Sequence, residues 1–261
     1  MKIALIGIGR LENDYAREWV EHHLKVGFDH IIIADNNHDG EDRFEDVVGD
    51  YVKDGKVAIE DFRNMESAQR TAYNALYRKY GKKYDWLAYF DFDEFLCLED
   101  GMTSVKQLVE RHAGKANCIM VPWMVMTDSN LVRKDSRPLM DRFTEKADYV
   151  SLGKCIIRGG MGGVRFTGSV HVPYQPVLRC CTPTGAPARQ HRRQESDYSV
   201  AYLKHFSTKT IEEWLTNKSR KGTAGRSYER FKEHYKDYFF TINKRTPEKE
   251  RFIEDFKNGR T

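Results

Sequence analysis

Two acids in one apolar run carry the first chemistry in this chain: Asp91 and Asp93, within Tyr84-Asp85-Trp86-Leu87-Ala88-Tyr89-Phe90-Asp91-Phe92-Asp93-Glu94-Phe95-Leu96. On an extended segment alternate side chains leave the same side, so both aspartates can address one ion while Phe92 points away. Hard carboxylate oxygens suit Mg²⁺ or Mn²⁺, ions that are usually held by a few carboxylates together with substrate phosphates. The pair therefore implies a metal ion and a diphosphate; the alternative is that the acids cap the following turn. A mostly apolar run ending in acids reads as a buried strand that reaches the carboxyl edge of a sheet, where open α/β sheets bind ligands.

The elements that must position these acids follow from periodicity. Residues 2–8 are apolar enough for a first buried strand, and Tyr15, Ala16, Trp19, Val20, His23 and Leu24 recur at helical spacing up to Gly27. A second strand over 28–34 ends at Asp35-Asn36-Asn37, and a third is expected over 56–60. Met65, Ala68, Ala72, Ala75, Leu76 and Tyr80 mark a helix whose other flank carries Gln69, Tyr73 and Asn74. This alternation implies a mainly parallel, doubly wound α/β sheet. Gly7-Ile8-Gly9 invites a dinucleotide reading, but Glu12 stands where a third glycine belongs, and its carboxylate would repel pyrophosphate at a helix N-terminus.

At 261 residues, 40% hydrophobic and 31% charged, the chain can form one large α/β domain, with or without a helical appendage. A net charge of +4 argues weakly for acidic partners and not at all for nucleic acid. The opening residues lack the long apolar stretch of a signal peptide and no later run approaches a membrane span, so a cytoplasmic protein is expected. Five cysteines without paired metal spacing are expected to be reduced thiols.

The stretch from Gly9-Arg10-Leu11-Glu12-Asn13-Asp14-Tyr15 to His23, then Gly27-Phe28-Asp29-His30 and Asp35-Asn36-Asn37, resembles the N-terminal signature of glycosyltransferase family 92 and related family-2-like bacterial transferases. Gln69, Ala72, Tyr73 and Asn74, then Tyr84-Asp85-Trp86 and Asp91-Phe92-Asp93-Glu94-Phe95, continue the resemblance in order. Leu11 departs from it, standing where asparagine is usual. The resemblance implies a GT-A fold, a UDP-sugar donor, a divalent cation (Mn²⁺ or Mg²⁺) and inversion at the sugar carbon. It places Arg10, Glu12, Asp35, Asn36, Gln69 and Asn74 around the nucleotide, and Asp91 and Asp93 on metal and diphosphate. Lys154 matches a lysine of the family and joins the donor-binding set.

An apolar strand over 117–126 ends at Thr127-Asp128-Ser129-Asn130, on what such sheets make the acceptor side. Asp128 is a candidate base, with turn formation as its other reading and Asp141 and Glu94 as rivals. The glycines from Gly159 to Gly163 read as a flexible loop or, alternatively, a phosphate cradle. Residues 173–194 read as an acceptor-side loop, in part disordered. The block from Leu203 to Gly222 resembles the family's C-terminal pattern, with His205 as a third metal ligand and Lys209, Lys218 and Arg220 facing the leaving diphosphate. Tyr228, Phe231, Tyr235, Tyr238 and Phe239 mark an aromatic, basic helical tail that packs on the domain, with peripheral contact to the inner face of a membrane as the minority option.

The expected organisation is a GT-A domain over 1–222, with a nucleotide-sugar half at 1–115 and an acceptor half with a lid at 116–222, then a C-terminal helical extension at 223–261. The expected function is metal-dependent transfer of a hexose, galactose among the candidates, to a glycan or lipid-linked saccharide in surface polysaccharide synthesis. Two alternatives use the same residues: a metal-dependent phosphohydrolase or nucleotidyltransferase, and a non-catalytic nucleotide-sugar-binding protein.

Overall fold

A computed structural model of the chain describes residues 1–148, 152–188, 196–218 and 237–260. The first apolar run forms β1 (Ile3–Gly9), in which Ile3, Ala4, Leu5 and Ile6 have no exposed surface, as a strand covered on both faces requires. Then come α1 (Asn13–Lys25), β2 (His30–Asp35), α2 (Glu45–Lys53), β3 (Val57–Asp61), α3 (Gln69–Tyr80) and β4 (Trp86–Tyr89). β1 pairs in parallel with β2 and β4, and β2 with β3, so the first half of the sheet is the doubly wound parallel arrangement that the alternation implies.

The acidic run is not one strand. After β4 the chain turns at residues 91–94, where the Glu94 N–H donates to Asp91 O at 3.0 Å, and returns as β5 (Glu94–Leu98). The expectation of an extended segment carrying both aspartates is corrected to a tight turn at the carboxyl end of β4. Further along lie α4 (Val105–His112), β6 (Cys118–Val125), α5 (Leu139–Arg142), β7 (Gly153–Arg158), β8 (Cys180–Cys181) and β9 (Ala201–His205). β7 runs antiparallel to both β4 and β6, and the nine-stranded sheet has the order β3-β2-β1-β4-β7-β6-β9-β5, with β8 on β6. A one-turn α6 (Ile211–Glu213), a π-helical turn Trp214–Lys218, helical residues 237–242 and α7 (Pro247–Lys257) complete the described elements. None of the helices among the described residues is long and apolar enough to cross a membrane.

Glycines here make room for rings and backbone. A Cβ on Gly7 would lie 2.8 Å from Trp19, and one on Gly9 would lie 2.6 Å from Phe44 and 2.9 Å from Phe92, which accounts for both glycines without a dinucleotide. In the Gly159–Gly163 stretch, Gly159 is pinned, since its Cβ would meet Tyr84 O at 1.9 Å, whereas nothing lies near Gly160, Gly162 or Gly163.

By its internal packing the chain forms two interleaved compact units: Met1–Trp123 with Val150–Lys204, and Met124–Tyr149 with His205–Thr261. The division falls within β6 and just before the last residue of β9. In the second unit Ile211, Trp214, Leu215, Phe239, Phe252 and Ile253 form a core. Arg142 donates twice to Glu213, at 2.9 Å each, with both side chains buried. Of the aromatic tail, Phe239 lies in this core and Tyr238 stacks on Trp214; Tyr228, Phe231 and Tyr235 lie outside the described residues.

His23 ties α1 to β5 directly behind the acidic turn. Its Nδ1–H donates to Trp19 O at 2.8 Å and its Nε2 accepts the Leu96 N–H at 3.3 Å, so the ring is held neutral in one tautomer. Burial, with His22 as a charged neighbour, keeps its pKa well below the usual 6.5, against the hydrogen bond to Trp19. A depressed histidine binds fewer protons folded than unfolded, so stability is fully present above the unfolded pKa and falls as pH drops below about 6.5. Urea denaturation at pH 7.5 and 5.5 should show the loss, on the order of 1 kcal/mol per proton per unit. A stability unchanged between these values would contradict the buried neutral ring.

Candidate functional site

At the carboxyl ends of β1, β2 and β4, three short polar segments meet. The ends of β1 and β2 are level, Gly9 opposite Asp35, and the Asn36 N–H donates to Gly9 O at 2.9 Å. Leu11 N–H donates to Asn37 Oδ1 at 2.8 Å, and Asn37 Nδ2 to Asn13 Oδ1 at 3.1 Å, stitching the β1 turn to the β2 loop. Arg10 completes the seam through Glu41, its guanidinium 3.0 Å from the carboxylate. Leu11 adopts φ 54, a left-handed conformation that favours asparagine or glycine over leucine.

Asp35 is buried, its Oδ1 accepting the Asn37 N–H at 2.9 Å, with Arg63 3.6 Å from Oδ2. Burial pushes its pKa up, outweighing that hydrogen bond and Arg63. Asn36 donates to the carbonyls of Phe62 and Met65 at 2.7 and 2.9 Å. Glu12 is buried at the N-terminus of α1.

The acidic turn is held by a charge that the sequence hides in a strand. Lys154 on β7 is fully buried and donates to Asp91 Oδ2 at 2.8 Å, with Glu94 Oε1 at 3.8 Å. Asp91 Oδ1 accepts from Gln69 Nε2 at 2.8 Å and from the Tyr73 hydroxyl at 3.2 Å, while its N–H donates to Glu94 Oε2 at 3.0 Å. Burial raises the Asp91 pKa, but the Lys154 ammonium outweighs it and the carboxyl titrates below its usual range. Glu94, with no exposed surface, is pushed well above the carboxylate range by burial, which the opposing Lys154 does not cancel, and by Asp91 and Asp93. Lys154 itself is raised: burial works against its charge, but the two acids prevail.

The residues that approach as a metal-ligand group are Asp93, Glu94 and His205, with one ligand atom from each all within 4.8 Å of one another. Glu94 thus stands where the sequence placed Asp91, whose oxygens are taken by Lys154, Gln69 and Tyr73. Two carboxylates and an imidazole suit Mn²⁺ or Mg²⁺, and Glu94 Oε1 is buried with no hydrogen bond of its own, an acceptor that a cation would satisfy.

Other expected site residues make contacts of their own. Asn74 clamps backbone, donating to Phe166 O at 2.9 Å and accepting the Phe166 N–H at 2.8 Å, so it fixes a loop after β7. Asp128, in the second unit, is buried and ion-paired to Lys249 at 2.5 Å, and its Oδ1 accepts the Asn130 N–H at 3.0 Å. The bond to Asn130 is the contact expected of a turn-forming aspartate, the other reading of this residue. Lys209, also in the second unit, is buried with φ 54. Lys218 ends the π-helical turn, and Arg220 falls outside the described residues. The sequence missed the buried ammonium of Lys154 as partner of the acids, and the bridging role of Asn37.

Comparison with known proteins adds a family. The description Glycosyltransferase family 92 matches residues 12–238. No curated protein matches the chain. Among solved structures, S. aureus TarS 1-349 is similar at 13% identity and TM-score 0.41, over 60% of this chain and 47% of that one. Its complex with UDP-GlcNAc matches at 11% identity and TM-score 0.40, over 52% of this chain and 38% of that one. The mannosyltransferase PcManGT from Pyrobaculum calidifontis, in complex with GDP-Man and Mn²⁺, matches at 11% identity and TM-score 0.37, over 46% of this chain and 35% of that one. The chain spans less than half the length of each.

Proposed function

The chain belongs to glycosyltransferase family 92, with a GT-A type α/β fold, and we propose that it moves a hexose from a UDP-sugar to a glycan or lipid-linked saccharide. The reading includes inversion at the sugar carbon, a Mn²⁺ or Mg²⁺ ion, galactose among the candidate sugars and a place in surface polysaccharide synthesis. The observation that carries it is that the family match, over residues 12–238, includes both the acidic turn and the Asp93, Glu94 and His205 group.

Asp93, Glu94 and His205 are the residues that would hold the cation, which when bound neutralises charge growing on the departing diphosphate. Lys154, Gln69 and Tyr73 fix both oxygens of Asp91, so its partly exposed carboxylate is presented to the donor ribose without rotating. Arg10, Glu12, Asp35 and Asn36 belong to the stitched loops that receive the nucleoside. Lys209, Lys218 and Arg220 serve the diphosphate. The acceptor hydroxyl loses its proton to a carboxylate as it attacks the anomeric carbon; of the three weighed for that role, Asp141 alone is exposed. No covalent enzyme intermediate is required.

A thermal-shift screen of nucleotide sugars, with Mn²⁺ and with a chelator, tests the reading. A donor at a hundredfold excess over its Kd should stabilise the folded state by about 2.7 kcal/mol, a shift of several degrees that shrinks when metal is removed. A shift with NAD and none with UDP-sugars would refute it. Release of inorganic phosphate instead of UDP would favour the hydrolase alternative.

A further inference from the structure

The chain has four tryptophans, of which Trp19, Trp86 and Trp214 are buried and Trp123 is half-exposed. Trp123 stands on β6 two residues beyond Val121, which is paired in register with Lys154 on β7. Residues directly opposite in an antiparallel pair share a face, and so do residues two apart on one strand. The indole therefore leaves the sheet on the side of Lys154, one pleat beyond the ammonium that holds Asp91. His171, also half-exposed, packs edge-on against it, with ring centroids 5.0 Å apart and planes at 79°. The His171 ring also bears weakly on the Asp91 carboxyl, behind burial, Lys154 and Asp93.

The backbone beneath both rings is held. The Tyr198 hydroxyl donates to the Trp123 carbonyl at 3.1 Å, and the main-chain N–H of Trp123 donates to Leu152 O at 3.0 Å. The loop carrying His171 is closed by two backbone hydrogen bonds between Arg165 and Tyr174, at 3.0 and 2.7 Å. Arg70 donates to Thr167 O at 2.8 Å, Asn74 clamps Phe166, and the Phe166 ring packs on Tyr73 and Tyr89. Two half-exposed rings on fixed backbone, next to hydrogen-bonding acids, combine an apolar face with polar groups at its rim, which is what orients a small polar ligand in a pocket.

We propose that Trp123 and His171 form a pyranose-binding subsite beside the acidic turn, with the apolar face of a sugar ring lying against the indole. The proposal rests on the nucleotide-sugar reading and deepens it, since the pyranose belongs either to the donor or to the acceptor.

With one accessible indole, acrylamide quenching of tryptophan fluorescence reports on Trp123 directly. The probes are UDP, UDP-glucose, UDP-galactose and UDP-N-acetylglucosamine with Mn²⁺, and methyl glycosides added to UDP-loaded protein. At least one sugar-bearing probe should lower the quenching constant about twofold where UDP alone does not. Protection by a UDP-sugar assigns the donor ring, and protection by a methyl glycoside the acceptor ring. Trp123→Ala should weaken that probe at least about tenfold with UDP affinity unchanged, and Trp123→Phe, which keeps a ring, should recover most of the loss. The subsite is refuted if no sugar protects Trp123 although UDP binds, or if UDP alone protects it equally. If UDP does not bind at all, the donor reading falls, and the subsite stands or falls on the glycosides alone.

Discussion

Asp93→Asn is expected to leave a folded protein whose transfer rate is at least about a hundredfold down, the scale of removing one strong electrostatic contact at the reacting charge. The side chain is buried beside Glu94, which Asp93 helps to push above the carboxylate range, and an amide of the same shape relieves that strain on Glu94. The melting temperature should therefore hold or rise slightly while UDP release from the donor collapses. Mn²⁺ affinity, followed by the loss of the free-ion electron paramagnetic signal, should weaken in parallel. Activity and stability falling together would mean that Asp93 holds the turn and does not serve the cation. Wild-type turnover in Mn²⁺ would remove it from the site altogether.

Lys154→Met should act on the opposite quantity. Its ammonium has no exposed surface and is the counter-charge to the buried Glu94 and the partly exposed Asp91, so removing it strands both acids, at a cost of up to about 3–5 kcal/mol. For a chain of this size each kcal/mol lowers the melting temperature by about 2–4 °C. Asp91→Asn in the same chain should recover part of the loss, because the amide no longer needs the ammonium; this coupling, on the order of 1 kcal/mol or more, separates a charge effect from a packing one. A Lys154→Met protein that melts within about 2 °C of the wild type would show that the pair contributes nothing to the fold.

The parallel half of the sheet was legible because its apolar residues repeat at strand and helix periods, and β1, β2, β3, α1 and α3 lie close to where those periods put them. α2 was not, because Gly49 and the β-branched Val47, Val48 and Val52 give poor helix propensity, and Val48 is indeed non-helical within it. The turn at 91–94 was read as strand because Phe90, Phe92 and Phe95 continue the apolar run through it. The position of the acids at the carboxyl edge was readable from the run itself. Their partners were not: Lys154 lies 63 residues from Asp91, and a lysine in a strand looks like a solvent-facing one until the fold closes over it. The same distance problem hid the commitment of Asp128 to Lys249.

The interleaving of the two units sets an order of events during synthesis. The turn at Asp128 leaves the ribosome with its main-chain N–H bound for Asn243, a residue made 115 positions later. Arg142 waits 71 positions for Glu213. At cellular elongation rates the longer delay is on the order of ten seconds, far slower than helix formation or collapse. Through that interval segment 124–149 exists without the core that covers it, carrying Asp128 and Arg142 with their countercharges not yet made. The first unit is spared most of this wait, since its parallel strands and Asp91 lie within the first hundred residues and need only β7 to supply Lys154. The nascent chain should therefore pass through a stage with a formed parallel sheet and an open second unit, the point of greatest exposure to chaperones and proteases.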